Sequence, residues 1–117
     1  MGVRRAGQIV LFRFPQTDLV VGKLRPALLI AQLPTGYDDW LVCMMSSQSH
    51  QTIFGIDEMI ARSDADFALS GLKTDTVIRL TRLAVVSSSI FVGVLGEIGN
   101  DRLQALKSRL ARLIENS

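Results

Sequence analysis

The chain has 117 residues, 48% of them hydrophobic and 21% charged, with a net charge of +2. That balance suits one globular domain over residues 1–117 and excludes disordered and collagen-like classes. One cysteine, Cys43, and one histidine, His50, exclude a disulfide framework, a cysteine zinc site and a two-histidine acid–base pair within one chain. No apolar run approaches the roughly 18–20 residues of a membrane span, and the N-terminal stretch has no signal-peptide core. These features point to a cytoplasmic protein with a reduced thiol and no membrane contact. The mean hydropathy of +0.29 is high for so small a chain. Such an apolar excess often ends in a subunit interface.

In chain order, residues 8–14 are rich in β-formers and stop at Pro15, which predicts a strand. Residues 15–24 hold Pro, Asp and Gly and predict a connecting loop. A second strand is predicted over 27–31, with Pro26 confined to its start or to a sheet edge. Residues 34–39 predict a turn. Residues 40–45 are apolar on both faces, which predicts a central strand. After a polar break, 53–56 predict a short strand, and 57–62 fit either a helical turn or a strand extension. Residues 63–76 are polar, with Phe67, Leu69 and Leu72 as anchors and Gly71 as a turn. Residues 76–81 alternate as a strand does, 83–87 continue it after a bend, and 90–95 form another short strand. Gly93, Gly96 and Gly99 read as turn glycines. The clearest element is the last. Asn100 suits an N-cap, Asp101 suits the positive end of a helix dipole, and Leu103, Leu106, Leu110, Leu113 and Ile114 form one apolar stripe. The layout predicts a mainly β fold: a small β-barrel or strongly bent sheet of five to seven short strands with a C-terminal amphipathic α-helix.

Phosphate-cradling, zinc-protease and nucleophile-elbow motifs are absent. Cys43 reads as a buried, inert thiol and His50 as a loop residue. Charge is unevenly placed: residues 1–25 carry +4, residues 26–75 carry −5 and residues 76–117 carry +3. Two basic ends that meet in space would form a face suited to phosphates. An ordinary solvated surface is the plainer alternative. Arg25 stands between a Gly-containing loop and Pro26, which restrains the backbone beside it. Its guanidinium fork matches a phosphate bidentately, although a surface arginine has the same local pattern. Ser46 and Ser47 close the third predicted strand.

Three segments carry a resemblance: GQIVLFRFPQTD from Gly7, GKLRPALLI from Gly22 and LVCMMSSQ from Leu41. GLKTDTVIRL from Gly71, and Gly96-Glu97-Ile98 ahead of the final helix, extend it. Together they resemble the MazF/PemK toxin family across nearly the whole chain, most weakly at 49–70. The resemblance implies an SH3-like β-barrel with a C-terminal helix, a homodimer, and a metal-independent endoribonuclease that needs no cofactor. The implied substrate is single-stranded RNA, often mRNA, cut at short sequences. The implied partner is an acidic, partly disordered antitoxin. By position, Arg25 matches the catalytic arginine, Ser46 falls where many members have a catalytic threonine, and Arg79 matches a second arginine. Lys23, Gln48, Thr17 and Thr81 are the implied substrate contacts, Lys23 and Gln48 reading bases. Thr81 departs from the family, which commonly has an aspartate there; a threonine hydroxyl is no base near neutral pH. That departure keeps two alternatives open: a protein poison of the CcdB-like kind, and a degenerate member that only binds antitoxin or nucleic acid.

Overall fold

The computed structural model describes residues 3–13, 24–48, 50 and 52–117. Its strands are β1 (Gln8–Arg13), β2 (Leu24–Gln32), β3 (Asp39–Ser46), β4 (Glu58–Ile60), β5 (Thr76–Ser87) and β6 (Phe91–Glu97). Two α-helices, α1 (Phe67–Ser70) and α2 (Asn100–Glu115), and a short 3-10 helix at Ser88–Ile90 complete the described elements. The strands form one antiparallel sheet in the order β4-β5-β3-β2-β1-β6. The mainly β architecture with a terminal helix is as anticipated. Closure into a barrel is incomplete, because β4 and β6 remain as sheet edges. Register shifts in the β1–β6, β2–β3 and β3–β5 ladders bend the sheet instead.

β2 and β3 bury side chains on both faces, so the sheet supports two cores. On one face Ile9, Leu28, Ile30, Cys43, Met45, Ile60, Ile78 and Leu80 meet Leu103, Leu106 and Leu110 of α2. On the other, Val10, Phe12, Ala27, Leu29, Trp40 and Val42 form the second core, with Met44, Ala84, Val86 and Phe91 against it. β3 is therefore internal, as its two-sided apolar pattern predicts. Burial pushes the Cys43 thiol up to about 12, so it is an inert core group.

Several local expectations are corrected. Pro26 lies inside β2, opposite Leu11. The β3 ladder begins only at Ala27, so the missing N–H of Pro26 breaks no rung there. Residues 53–56 form a turn, and the ambiguous stretch after it becomes β4. Leu69 is exposed, whereas Phe67 and Leu72 pack against the first core. Gly93 and Gly96 lie within β6 rather than in turns. A Cβ on Gly96 would sit 2.1 Å from the Leu69 carbonyl oxygen, so glycine there lets α1 lie on the strand. The N-cap of α2 is Gly99, with Asn100 as first helical residue. Asp66 accepts a hydrogen bond from Gly99 N at 2.9 Å, which fixes the backbone one residue before Asn100. Ile114 is exposed, and the apolar stripe ends at Leu113.

Arg102 ties α2 to the acidic middle of the chain. Its Nε bonds Asp66 at 2.8 Å, while its two terminal nitrogens bond Glu58 at 2.7 Å and Asp64 at 2.8 Å. Arg109 reaches Glu58 at 2.9 Å and the carbonyl of Ile56 at 3.2 Å. Much of the basic C-terminal charge is thus spent inside the fold, not on a basic face.

Two predictions follow from this packing. The Arg102 guanidinium holds the Asp66 carboxyl below its ordinary value, and the Ala61 N–H together with Arg102 does so for Asp64. A carboxylate lowered in the fold stabilises it above the unfolded value of about 3.9, and that stabilisation is lost as pH falls through the lowered value. Urea unfolding should therefore show Asp66→Asn clearly less stable than wild type at pH 7, with the gap closing at pH 3. Gly36 and Gly71 both have φ near the left-handed region, at 80° and 72°, but only at Gly71 would a Cβ strike backbone, 2.1 Å from the Leu95 carbonyl oxygen. In urea, Gly36→Ala should cost about 1–2 kcal/mol of strain, and Gly71→Ala distinctly more.

Candidate functional site

β2 and β3 run antiparallel with Ala27 opposite Met44, so Arg25 and Ser46 emerge at the same end of the sheet. Arg25 stands opposite Phe12, and Arg79 opposite Met44. Phe12, Ala27 and Met44 belong to the second core, so strand alternation places Arg25, Ser46 and Arg79 on that same face.

A cavity of about 240 Å³ opens at this end, lined by Leu24, Arg25, Pro26, Met45, Ser46, Ser47, Gln48, Leu72, Lys73, Thr74 and Thr76. Its charged side chains are Arg25 and Lys73, and no carboxylate lines it. Arg25 is half-buried, and its Nε is shielded from solvent without a hydrogen-bond partner. A shielded N–H left unsatisfied carries a desolvation cost that a bound anion would relieve. Ser46 Oγ accepts a hydrogen bond from the Gln48 N–H at 3.0 Å. A hydroxyl that already accepts there keeps its own proton for another acceptor. Thr76 Oγ1 donates to the Thr74 carbonyl at 2.8 Å, which stiffens the β5 side of the cavity.

Of the seven residues that the family resemblance assigns to the site, Arg25, Ser46 and Gln48 line this cavity. Arg79 shares their face but does not line the cavity. It sits two positions along β5 from Val77, the partner of Ser46, a step of about 7 Å. Thr81 also stands apart: its N–H and hydroxyl both bond the buried carboxylate of Asp57. Thr17 and Lys23 lie outside the described residues. His50 is exposed and does not line the cavity.

Lys73 also lines this cavity, although the sequence did not single it out. The available signal was its isolation: residues 26–75 contain Lys73 and Arg62 among seven acids. Arg62 pairs with Asp75, Nε to Oδ1 at 3.7 Å, whereas Lys73 forms no ion pair among the described residues. Larger cavities exist, but they differ in chemistry. One of about 430 Å³ borders Asp64, Asp66 and Arg102, whose charges satisfy one another. Among the described residues, no group of three or more His, Cys, Asp or Glu could hold a metal ion. Among the described residues, no helix is long and apolar enough to cross a membrane.

Comparison with solved structures finds the same fold in an endoribonuclease in complex with its cognate antitoxin from Mycobacterial species. The match has a TM-score of 0.65 at 14% identity and covers 97% of this chain and 96% of that one. At that identity the likeness speaks to the fold. No curated protein matches the chain in sequence. A family model described as PemK-like, MazF-like toxin of type II toxin–antitoxin system matches residues 5–114. With nearly the whole length matched, the chain belongs to the PemK-like, MazF-like toxin family.

Proposed function

We propose that the protein is the toxin of a type II toxin–antitoxin module and cuts single-stranded RNA at short sequences, using the RNA's own 2′-hydroxyl as nucleophile. One observation carries this reading: the cavity at the shared end of β2 and β3 holds two cations and a hydroxyl with a spare proton, and no acid lines it. Such a set suits an anionic phosphodiester.

In the proposed step the 2′-oxygen forms a bond to the adjacent phosphorus while the bond from phosphorus to the 5′-oxygen breaks. The proton leaving the 2′-hydroxyl passes to water, water protonates the departing 5′-oxygen, and the products are a 2′,3′-cyclic phosphate and a free 5′-hydroxyl. Negative charge grows on the non-bridging oxygens between these two events. Arg25 meets that charge with a planar fork, and Lys73 with a point charge. A guanidinium keeps its proton in proteins, so Arg25 is a charge stabiliser before it is a proton donor. Ser46 donates its free proton to a non-bridging oxygen. Arg79, on the same face, holds a neighbouring phosphate. Gln48, together with Lys23 and Thr17, contacts the bases. The same cationic cavity suits an acidic segment of an antitoxin, which would then block RNA by occupying it. A homodimer accounts for the exposed Leu83, Val85, Val92 and Val94.

Purified protein with mixed single-stranded RNA in EDTA should yield discrete cuts ending in cyclic phosphate. Arg25→Ala should remove them in a protein that still folds; undiminished cutting by that variant would refute the assignment. Ser46→Ala should lose about 10²–10³ in rate, the usual cost of one preorganised donor. Lys73→Ala should lower the slope of log affinity against log salt by about 0.7, the increment for one phosphate contact on a single strand. Ionic-strength titration of RNA binding measures it.

A further inference from the structure

Between Met44, which faces Arg79, and Cys43, which faces Leu83, one step along β3 corresponds to four along β5. Leu80, Thr81 and Arg82 therefore form a bulge directly after Arg79. A bulge re-aims the side chains around it and needs its freed backbone groups satisfied from elsewhere. Here the satisfying group is Asp57, only 7% exposed, just ahead of β4. Its Oδ1 accepts from Thr81 N at 3.1 Å and from Thr81 Oγ1 at 3.1 Å. Its Oδ2 accepts from Ile53 N at 3.0 Å and lies 3.2 Å from Thr81 Oγ1. Glu58 pairs with Ile78, so Asp57 stands beside the Arg79 end of that ladder.

A buried carboxylate is costly unless its oxygens are fully hydrogen-bonded, and two of the three donors to this one, Thr81 N and Thr81 Oγ1, belong to the bulge. The arrangement has a chemical consequence at Thr81. The hydroxyl's single proton is committed to the carboxylate, so its lone pairs are what the exposed Thr81 offers outward. We infer that Asp57 is a positioning residue for RNA cleavage: its buried carboxylate locks the β5 bulge so that Arg79 is presented at a fixed angle, and it makes the Thr81 hydroxyl an acceptor facing the substrate. The inference rests on the RNA-cleaving reading above. It also removes the objection raised by threonine at 81, since a carboxylate reaches that place from another segment of the chain.

The test is steady-state cleavage of a short single-stranded RNA that the wild-type protein cuts, with melting temperature measured beside it. Thr81→Val keeps the side-chain shape and the backbone bond to Asp57. It should lower kcat about tenfold or more with KM nearly unchanged, and should move the melting temperature little. Asp57→Asn, which turns a donor toward the Thr81 and Ile53 N–H groups, should lose about 10² in kcat through misplacement. The exchange of Asp57→Thr with Thr81→Asp should recover much of the lost kcat without recovering the lost melting temperature, a split that a purely structural role would not produce. Wild-type kcat in Thr81→Val, or kcat that merely follows melting temperature across the series, would overturn the inference. If the wild-type protein cuts RNA and these variants cut equally well, only the role of Asp57 fails. A folded wild-type protein that cuts no RNA refutes the underlying reading and this inference with it.

Discussion

The middle strands of the sheet are apolar on both faces, and neither face can be left to water. Leu28 and Leu29 are adjacent in β2, yet one packs toward α2 and the other into the second core. Each fully buried side chain of this size contributes about 1.5–3 kcal/mol. Two cores in a chain this short leave few ways to arrange the rest. α2 must cover one face, and the bulged ladders must bend the sheet over the other. The end where β2 and β3 emerge together is where polar side chains first meet solvent, and Arg25 and Ser46 stand there. The site is in that sense a by-product of how the double core ends.

The arginines divide by the same logic. Arg102 and Arg109 are spent on Glu58, Asp64 and Asp66, drawing the acidic middle of the chain onto α2. That consumption removes acids from the open surface and leaves the cavity at Arg25 and Lys73 without a carboxylate wall. A fixed positive potential in a partly enclosed site is worth more than the same charge on a flat surface, because less water screens it. Charge pairing on one side of the molecule thus sharpens anion preference on another.

What was legible in the sequence were features with short-range physics. The periodicity of Leu103, Leu106 and Leu110 declared the helix, and the unbroken apolar run at 40–45 declared an internal strand. The segment around Arg25 and Pro26 stood out through its likeness to the family pattern, because an arginine before a proline is by itself an ordinary surface arrangement. Features that depend on distant partners were not legible. Asn100 has the chemistry of a cap, but Asp66, 33 residues away, holds Gly99 and shifts the helix start. Asp57 looks like any loop acid until the fold places it on Thr81, 24 residues downstream. Lys73 is placed on the cavity only by the fold, and the nearby Asp75 pairs with Arg62 instead. Gly96 read as a turn because only tertiary contact brings α1 against it.

The chemistry assigned to the cavity depends on one atom of the substrate, the ribose 2′-oxygen. The most direct test is a short single-stranded RNA that the protein cuts once in EDTA, compared with the same strand carrying a single 2′-deoxy nucleotide on the 5′ side of the cut bond. The proposed reaction predicts unchanged binding of the substituted strand and no cleavage at that bond, while the 5′ fragment of the all-ribose strand ends in a 2′,3′-cyclic phosphate. Cleavage of the deoxy-substituted strand at the same bond would contradict it, because the nucleophile would then have come from somewhere other than the RNA.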